Sequence, residues 1–239
     1  MKVYLISEPR LDYREFDRFI ADEGLPRNVA YHVEPASDAE CLVELCARLC
    51  YMSYGKGRNS TYECLSNITT QKHFSVMEHA NWTFIVTGVS RSLTHELVRH
   101  RHLSYSQLSQ RYVDESTADF IMPPALREHA GSEAIANDSF ALARQAYEYI
   151  VEKLTETVPE WRTKTEARKI VRQAARAVLP NAIETKIAVT GNARAWREFI
   201  VKRNSPHADP EIRALAETIY DILRAKAPSL FLYTMGDEE

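Results

Sequence analysis

The chain has 239 residues, 45% of them hydrophobic and 26% charged, with a formal net charge of −3. Such a length can bury a sizeable core, and such a composition belongs to a globular fold. No apolar run is long enough to cross a bilayer, and the net charge excludes a nucleic-acid binder that works by bulk field, so any anion site must be local.

Residues 2–6 read as a strand. The short apolar stretch there ends at Glu8 and Pro9, unlike a signal peptide, so the cytoplasm is the expected location. Residues 38–51 read as a helix with Ser37 or Asp38 as N-cap, and residues 60–72 as a second. Asn81–Val89 is rich in β-branched and aromatic residues and reads as a strand ending at Gly88. Ser90 then caps a helix from Arg91 to about His100, which should give way to an irregular loop. Pro123 and Pro124 break the chain. Helical patterns follow over about 132–156 and from Glu160 to Val178. Glu184–Gly191 is a second strong strand, followed by a helix from Asn192 to about Arg203. A last helix runs from Pro210 to Ala227 and stops at Pro228.

Strands and helices do not alternate strictly. The expected class is therefore α+β, with a central mixed or antiparallel sheet flanked by several helices in a single domain over 1–239. The two long strands are each followed directly by a helix carrying arginines. If the strands lie side by side, both helix starts are expected at one end of the sheet.

Only 7 glycines are present, with no G-x-G-x-x-G and no Walker motif, so no Rossmann or P-loop fingerprint is available. Cys41, Cys46, Cys50 and Cys64 form no C-x-x-C pair, and Cys46 and Cys50, one helical turn apart, read as small buried hydrophobes. A thiol nucleophile would need a base or an arginine cluster beside it, and the spacing supplies neither. His73, Glu78 and His79 are all possible metal ligands, but Glu78 and His79 are adjacent and no second cluster completes a site. The stretch His95-Glu96-Leu97-Val98-Arg99 is not a metalloprotease H-E-x-x-H, because arginine cannot ligate zinc. No metal is expected.

The densest chemistry lies between Arg99 and Arg111: three arginines, two histidines, three serines and two glutamines. Guanidinium suits phosphate and carboxylate oxygens, and hydroxyls and amides can read a ring edge. Arg99-His100-Arg101, seven residues, then Ser109-Gln110-Arg111 spells R-H-R-x7-S-x-R. This resembles the signature of the flavin-dependent thymidylate synthases, and the resemblance extends from about His73 to Arg203.

That resemblance implies conversion of dUMP to dTMP, with methylenetetrahydrofolate as carbon donor and NADPH reducing bound FAD. It implies flavin contacts at Ser75, Arg99, His100, Arg101, Gln107, Asn192 and Arg194, with His73 and Glu78 as weaker candidates. Glu96, Arg99, Gln107, Leu108, Ser109, Gln110 and Arg111 would surround the nucleotide. Ala175-Arg176-Ala177-Val178-Leu179-Pro180 resembles the family's A-R-x-x-L-P and adds Arg176, alone of the stripe Arg168, Arg172, Arg176. Arg203 matches the arginine thought to stabilise uracil ionised at nitrogen 3, which is electrostatic catalysis. The resemblance also implies a homo-oligomer, a homotetramer with sites built across subunits. Glu198 departs from the family, where histidine or asparagine is common. It should either turn away from the flavin or be neutralised by an arginine.

Two other classes fit parts of the sequence. A metal-dependent hydrolase would use the histidines between 73 and 102. A non-catalytic nucleotide- or RNA-binding module would use the arginines and Tyr105, with salt-sensitive binding.

Overall fold

A computed structural model describes residues 1–25, 36–159 and 162–232. The strands are β1 (Lys2–Ser7), β2 (Asn81–Ser90), β3 (Ser104–Gln107) and β4 (Glu184–Asn192). The helices are α1 (Tyr13–Asp22), α2 (Asp38–Tyr51), α3 (Thr61–Thr70), α4 (Arg91–Leu97), α5 (Pro124–Arg127), α6 (Ala130–Thr157), α7 (Lys164–Ala175), α8 (Ala193–Arg203), α9 (Pro210–Lys226) and α10 (Pro228–Phe231). Among the described residues no helix is long and apolar enough to cross a membrane. The class is α+β, and of the two sheet arrangements expected the antiparallel one is found, with strand order β1-β2-β4-β3.

The register shows why the two helix starts do not converge. Thr83 Oγ1 lies 2.9 Å from Thr190 Oγ1, and Gly88 N–H donates to Glu184 Oε1 at 2.9 Å. The β2 and β4 numbers therefore run in opposite senses. The Arg91 amide bonds the Ile183 carbonyl just before β4, and the Ala193 amide bonds the Ala80 carbonyl just before β2. Each helix starts beside the beginning of the other strand, because antiparallel neighbours end at opposite edges. The expectation of one shared end is thus corrected.

Local chemistry explains most boundaries. Ser37, not Asp38, caps α2, and Glu40 returns the bond to form a capping box. Thr163 and Glu166 do the same for α7; the Glu160 start expected for this helix lies outside the described residues. Gly88 sits at φ +66° inside β2, a region that favours glycine, with Met1 within 3.3 Å of where a Cβ would lie. Gly191 meets Leu103 and Trp196 so closely that a Cβ would strike the leucine side chain. The helix expected from Pro210 ends as expected, just before Pro228. α9 stops at Lys226, and Pro228 opens the short α10 from its first turn, where a missing N–H is harmless. The short helices α5 and α10 escaped the sequence reading, as did α1 and β3. Strand β3 replaces the irregular loop expected there.

Two compact units share the chain. The first takes Met1–Lys2, Val86–Arg99 and Tyr105–Ala188; the second takes the described parts of Val3–Ile85, His100–Ser104 and Val189–Glu239. Within the first, Tyr147, Leu93, Leu97, Ile183 and Ile187 are fully buried. Within the second, Trp82, Phe84, Trp196, Phe199 and Phe231 form an aromatic core. Phe84 meets Trp196 edge-on at 5.2 Å between centroids, and Trp82 meets Phe231 at 5.7 Å.

Candidate active site

The first unit carries Glu96, Arg99, Gln107, Leu108, Ser109, Gln110, Arg111 and Arg176. α4 ends at Leu97, short of the expected His100, and the Arg99 amide closes its last turn on the Glu96 carbonyl. The chain then returns as β3. Leu108 N–H bonds the Lys186 carbonyl at 2.9 Å, which ties the strand's end to β4. Tyr105 O–H donates to the Leu97 carbonyl at 2.6 Å. The Gln107 amide nitrogen donates to Thr94 Oγ1 at 3.1 Å and Thr185 Oγ1 at 3.3 Å. Gln107 is therefore anchored between α4 and β4, and only its carbonyl end is uncommitted by these two bonds. Ser109 opens a turn: its carbonyl accepts from the Tyr112 and Val113 amides at 3.0 Å, and its hydroxyl accepts from the Arg111 amide at 3.4 Å.

Arg111 is half-buried, and its Nε has no hydrogen-bond partner. Glu115 is 3% exposed, and one of its carboxylate oxygens also lacks a partner. Burial raises the Glu115 pKa, opposed chiefly by the nearby Arg91 cation. Burial lowers the Arg91 pKa, an effect Glu115 opposes and Arg176 reinforces. Arg91 and Glu115 thus belong to the arginine-rich neighbourhood of Arg176, and the sequence reading missed both. Nothing in their spacing marks them, since the grouping depends on long-range pairing. Arg172 is a structural residue: it bonds Asp114 at 3.0 Å and the Tyr112 carbonyl. Arg168 reaches back to the Lys164 carbonyl at 3.2 Å. Arg176, exposed at the end of α7, is the member of the stripe without such an anchor in these contacts.

The second unit carries Ser75, His100, Arg101, Asn192, Arg194 and Arg203. A 3-10 turn, Phe74–His79, presents Ser75 and Glu78. Glu78 pairs with Arg194 at 2.7 Å, so the H-x-S-x-x-E-H segment directs its carboxylate to a cation rather than gathering ligands. Asn192 caps α8 by accepting the Ala195 amide at 2.9 Å. Ser75, His73 and Arg194 line a cavity of about 540 Å³ with Lys56, Arg58 and Lys72. Those lysines and Arg58 were also missed, because none of them belongs to a recognisable site motif.

Cys50 and Cys64 line the same cavity as Arg58 and Arg194, a placement the spacing does not reveal. Cys50 is exposed, against the expectation of a buried residue; of the four cysteines only Cys41 is buried. Burial pushes the Cys41 thiol up to about 11 and raises Cys46 and Cys64 as well, which keeps those three as unreactive thiols.

At the end of α8, Arg203 Nε donates to His100 Nε2 at 3.0 Å. Glu198 is neutralised, but by lysine rather than arginine: Lys202, one turn on, holds it at 2.6 Å. That bond keeps the Glu198 carboxyl below its ordinary pKa.

The nucleotide candidates therefore gather in one unit, with Arg203 the exception. The flavin candidates gather in the other, with Arg99 and Gln107 the exceptions. Comparison with known proteins gives the same assignment as the signature. Residues 32–229 match the family model described as thymidylate synthase complementing protein. The chain is 48% identical over 207 residues to a flavin-dependent thymidylate synthase of Mycolicibacterium gilvum, covering 83% of this chain and 82% of that one. It is 48% identical over 199 residues to the enzyme of that name from Mycobacteroides abscessus, covering 82% and 80%. The Mycobacterium tuberculosis relative of the same name is 47% identical over 201 residues, again covering 82% and 80%. With a match over most of its length and the signature intact from Arg99 to Arg111, the chain belongs to the flavin-dependent thymidylate synthase family.

Proposed function

We propose that the chain catalyses the reductive methylation of dUMP to dTMP, taking the carbon from methylenetetrahydrofolate and the reducing equivalents from NADPH through FAD. The observation that carries this reading is the arrangement of the signature. Its amides and arginine are set by β3 and the Ser109 turn, and the same unit carries a second cationic group at Arg91 and Arg176.

Arg99, Arg111 and Arg176, with the Ser109 and Gln110 turn, would hold the dianionic phosphate. Glu96, Gln107 and Leu108 would face the nucleoside. Arg203 would stand against the uracil ring and stabilise negative charge at nitrogen 3.

For the flavin, the donor set of the second unit fits a phosphate-bearing cofactor. Lys56, Arg58, Lys72 and Arg194 supply positive charge around one cavity, and Ser75 a hydroxyl. Asn192 and Arg194 stand at the start of α8, where the helix dipole favours anions. His100 and Arg101 would complete the flavin contacts, with Arg99 and Gln107 serving both ligands. Bound flavin would supply the hydride chemistry; the chain's part is to bind, orient and polarise. Glu78 would have to share Arg194 with the cofactor.

The reading extends to the whole molecule. The chain would work as a single domain, which the passage of β1, β2 and β4 through both units supports. It would assemble as a homotetramer and act in the cytoplasm, where its four free thiols would stay reduced.

The deciding experiment is a visible spectrum of the purified protein with added FAD, followed by NADPH with and without dUMP, then an assay for dTMP. A flavin band that bleaches faster with dUMP, and dTMP formed only with the folate, is the expected result. A protein that takes up no FAD would overturn the reading. Arg111→Ala should weaken dUMP binding about 10- to 100-fold, the value of a charge-assisted hydrogen bond of about 1.5–3 kcal/mol. Calorimetric titration should show little change for FAD. Equal losses of both ligands would make the signature turn a structural element instead.

A further inference from the structure

Besides the flavin contact proposed for it, His100 is placed for a second task. The ring nitrogen Nε2 accepts the Arg203 Nε–H at 3.0 Å. The ring itself stands edge-on to Phe199, with centroids 5.1 Å apart and planes at 79°. Phe199 is in turn held edge-on by Trp196 at 5.9 Å. Phe199 and Arg203 are four residues apart on α8, so one turn of helix supplies both a wall for the imidazole and its donor. The His100 carbonyl accepts the Leu103 amide at 3.0 Å, and Leu103 is buried against Gly191, which fixes the backbone end as well.

Arginine has donors only and keeps its proton throughout the accessible pH range. The contact therefore exists only if Nε2 offers its lone pair, with the ring neutral and its proton on Nδ1. We propose that His100 is a positioning residue for Arg203: as a neutral acceptor it fixes the guanidinium at Nε and so aims its terminal NH2 groups. This rests on the role given above to Arg203, and adds to it the residue through which that arginine is held.

The surroundings keep the ring neutral. Burial, then the charges of Arg203 and Lys202, lower its pKa from 6.5 to about 4, with Glu198 opposing. Glu198 is itself committed to Lys202, and His102 is the other titratable group beside it. Because the folded pKa lies below the unfolded one, the contact's contribution to stability is present above about pH 6.5. It is lost as the pH falls towards about 4, where the unfolded chain takes up the proton first.

The test is a double-mutant cycle on the FAD-loaded enzyme. His100→Phe should lower kcat by up to about 10²-fold at saturating FAD, as a misplaced catalytic group does. His100→Gln, whose carbonyl can accept from Nε, should recover most of the loss. On an Arg203→Ala background, His100→Phe should add almost nothing. Multiplying effects at saturating FAD would overturn the proposal. A fully active Arg203→Ala would instead overturn the role of Arg203, and the positioning argument with it. Should His100→Phe fail to fold, ¹⁵N NMR of the unmodified protein decides: an Nδ1–H tautomer held from pH 8 to pH 5 is expected. An Nε2–H tautomer, or titration near 6.5, would refute it.

Discussion

Replacing Arg203 with alanine should leave the flavin content of the purified protein near that of the parent and lower dTMP turnover by about 10²- to 10³-fold. That is the range lost when one preorganised donor is removed from a site where charge develops. The size of the effect follows from where the side chain is held. Arg203 is the last residue of α8, and a cation there is favoured by the helix dipole. Its Nε is fixed on His100, so little reorganisation is needed when the uracil ring becomes anionic. Alanine removes the charge but leaves Asn192, at the far end of the same helix, as its cap. Flavin uptake and turnover should therefore separate, the first read from the visible band and the second from dTMP formed. Arg203→Lys should fall between the two, because an ammonium restores the charge without the planar fork. Wild-type turnover in Arg203→Ala would show that the ring is stabilised by another group, with Arg99 the next arginine to test.

How much of this was legible in the sequence depends on the range of the forces involved. Helix α2 was legible because its cap, Ser37, and its partner, Glu40, lie three residues apart. The strands β2 and β4 were legible because each is long and rich in β-branched residues. Strand β3 was not, since Ser-Tyr-Ser-Gln has no strand character of its own and is made a strand by pairing with β4. Helix α1 carried a usable signal that went unread: Asp12 accepts the Arg14 and Glu15 amides, and Phe16 and Ile20 share a buried face. The signature named candidate residues by pattern, but pattern does not say which side chains meet. The Glu78–Arg194 pair spans 116 residues and the Arg203–His100 bond 103, and no local rule encodes either. The neutralisation of Glu198 was half legible. A neutralising cation was one of the two outcomes expected, yet Lys202 at the following turn was passed over for an arginine.

The pair Glu44 and Arg48 shows the opposite failure, a familiar pattern whose setting is hidden. Four residues apart on α2, they read as an ordinary surface ion pair worth a few tenths of a kcal/mol. Instead their side chains are only 2% and 5% exposed. Arg48 donates to Glu44 at 2.7 Å, to the Ser53 and Lys56 carbonyls at 3.2 Å, and to the Arg58 carbonyl at 2.9 Å. Thr61 O–H completes the carboxylate at 2.6 Å. One guanidinium therefore gathers the carbonyls of the segment that follows α2, where Met52, Gly55 and Gly57 all have positive φ. That segment supplies Lys56 and Arg58 to the cavity assigned to the flavin. Arg48→Ala would strand the Glu44 charge and leave three carbonyls without their donor. A loss of about 3–5 kcal/mol is expected for breaking a buried pair in this way. For a chain of this size that lowers Tm by roughly 10 °C, readable by thermal denaturation. FAD binding should weaken with it, since the cations of the loop lose their fixed places. Arg48→Met combined with Glu44→Gln, which removes both charges, should recover part of the stability but not the FAD affinity, because the loop carbonyls remain unheld. If the double variant bound FAD as tightly as the parent, the loop would owe its shape to its glycines alone, and the cavity would be independent of Arg48.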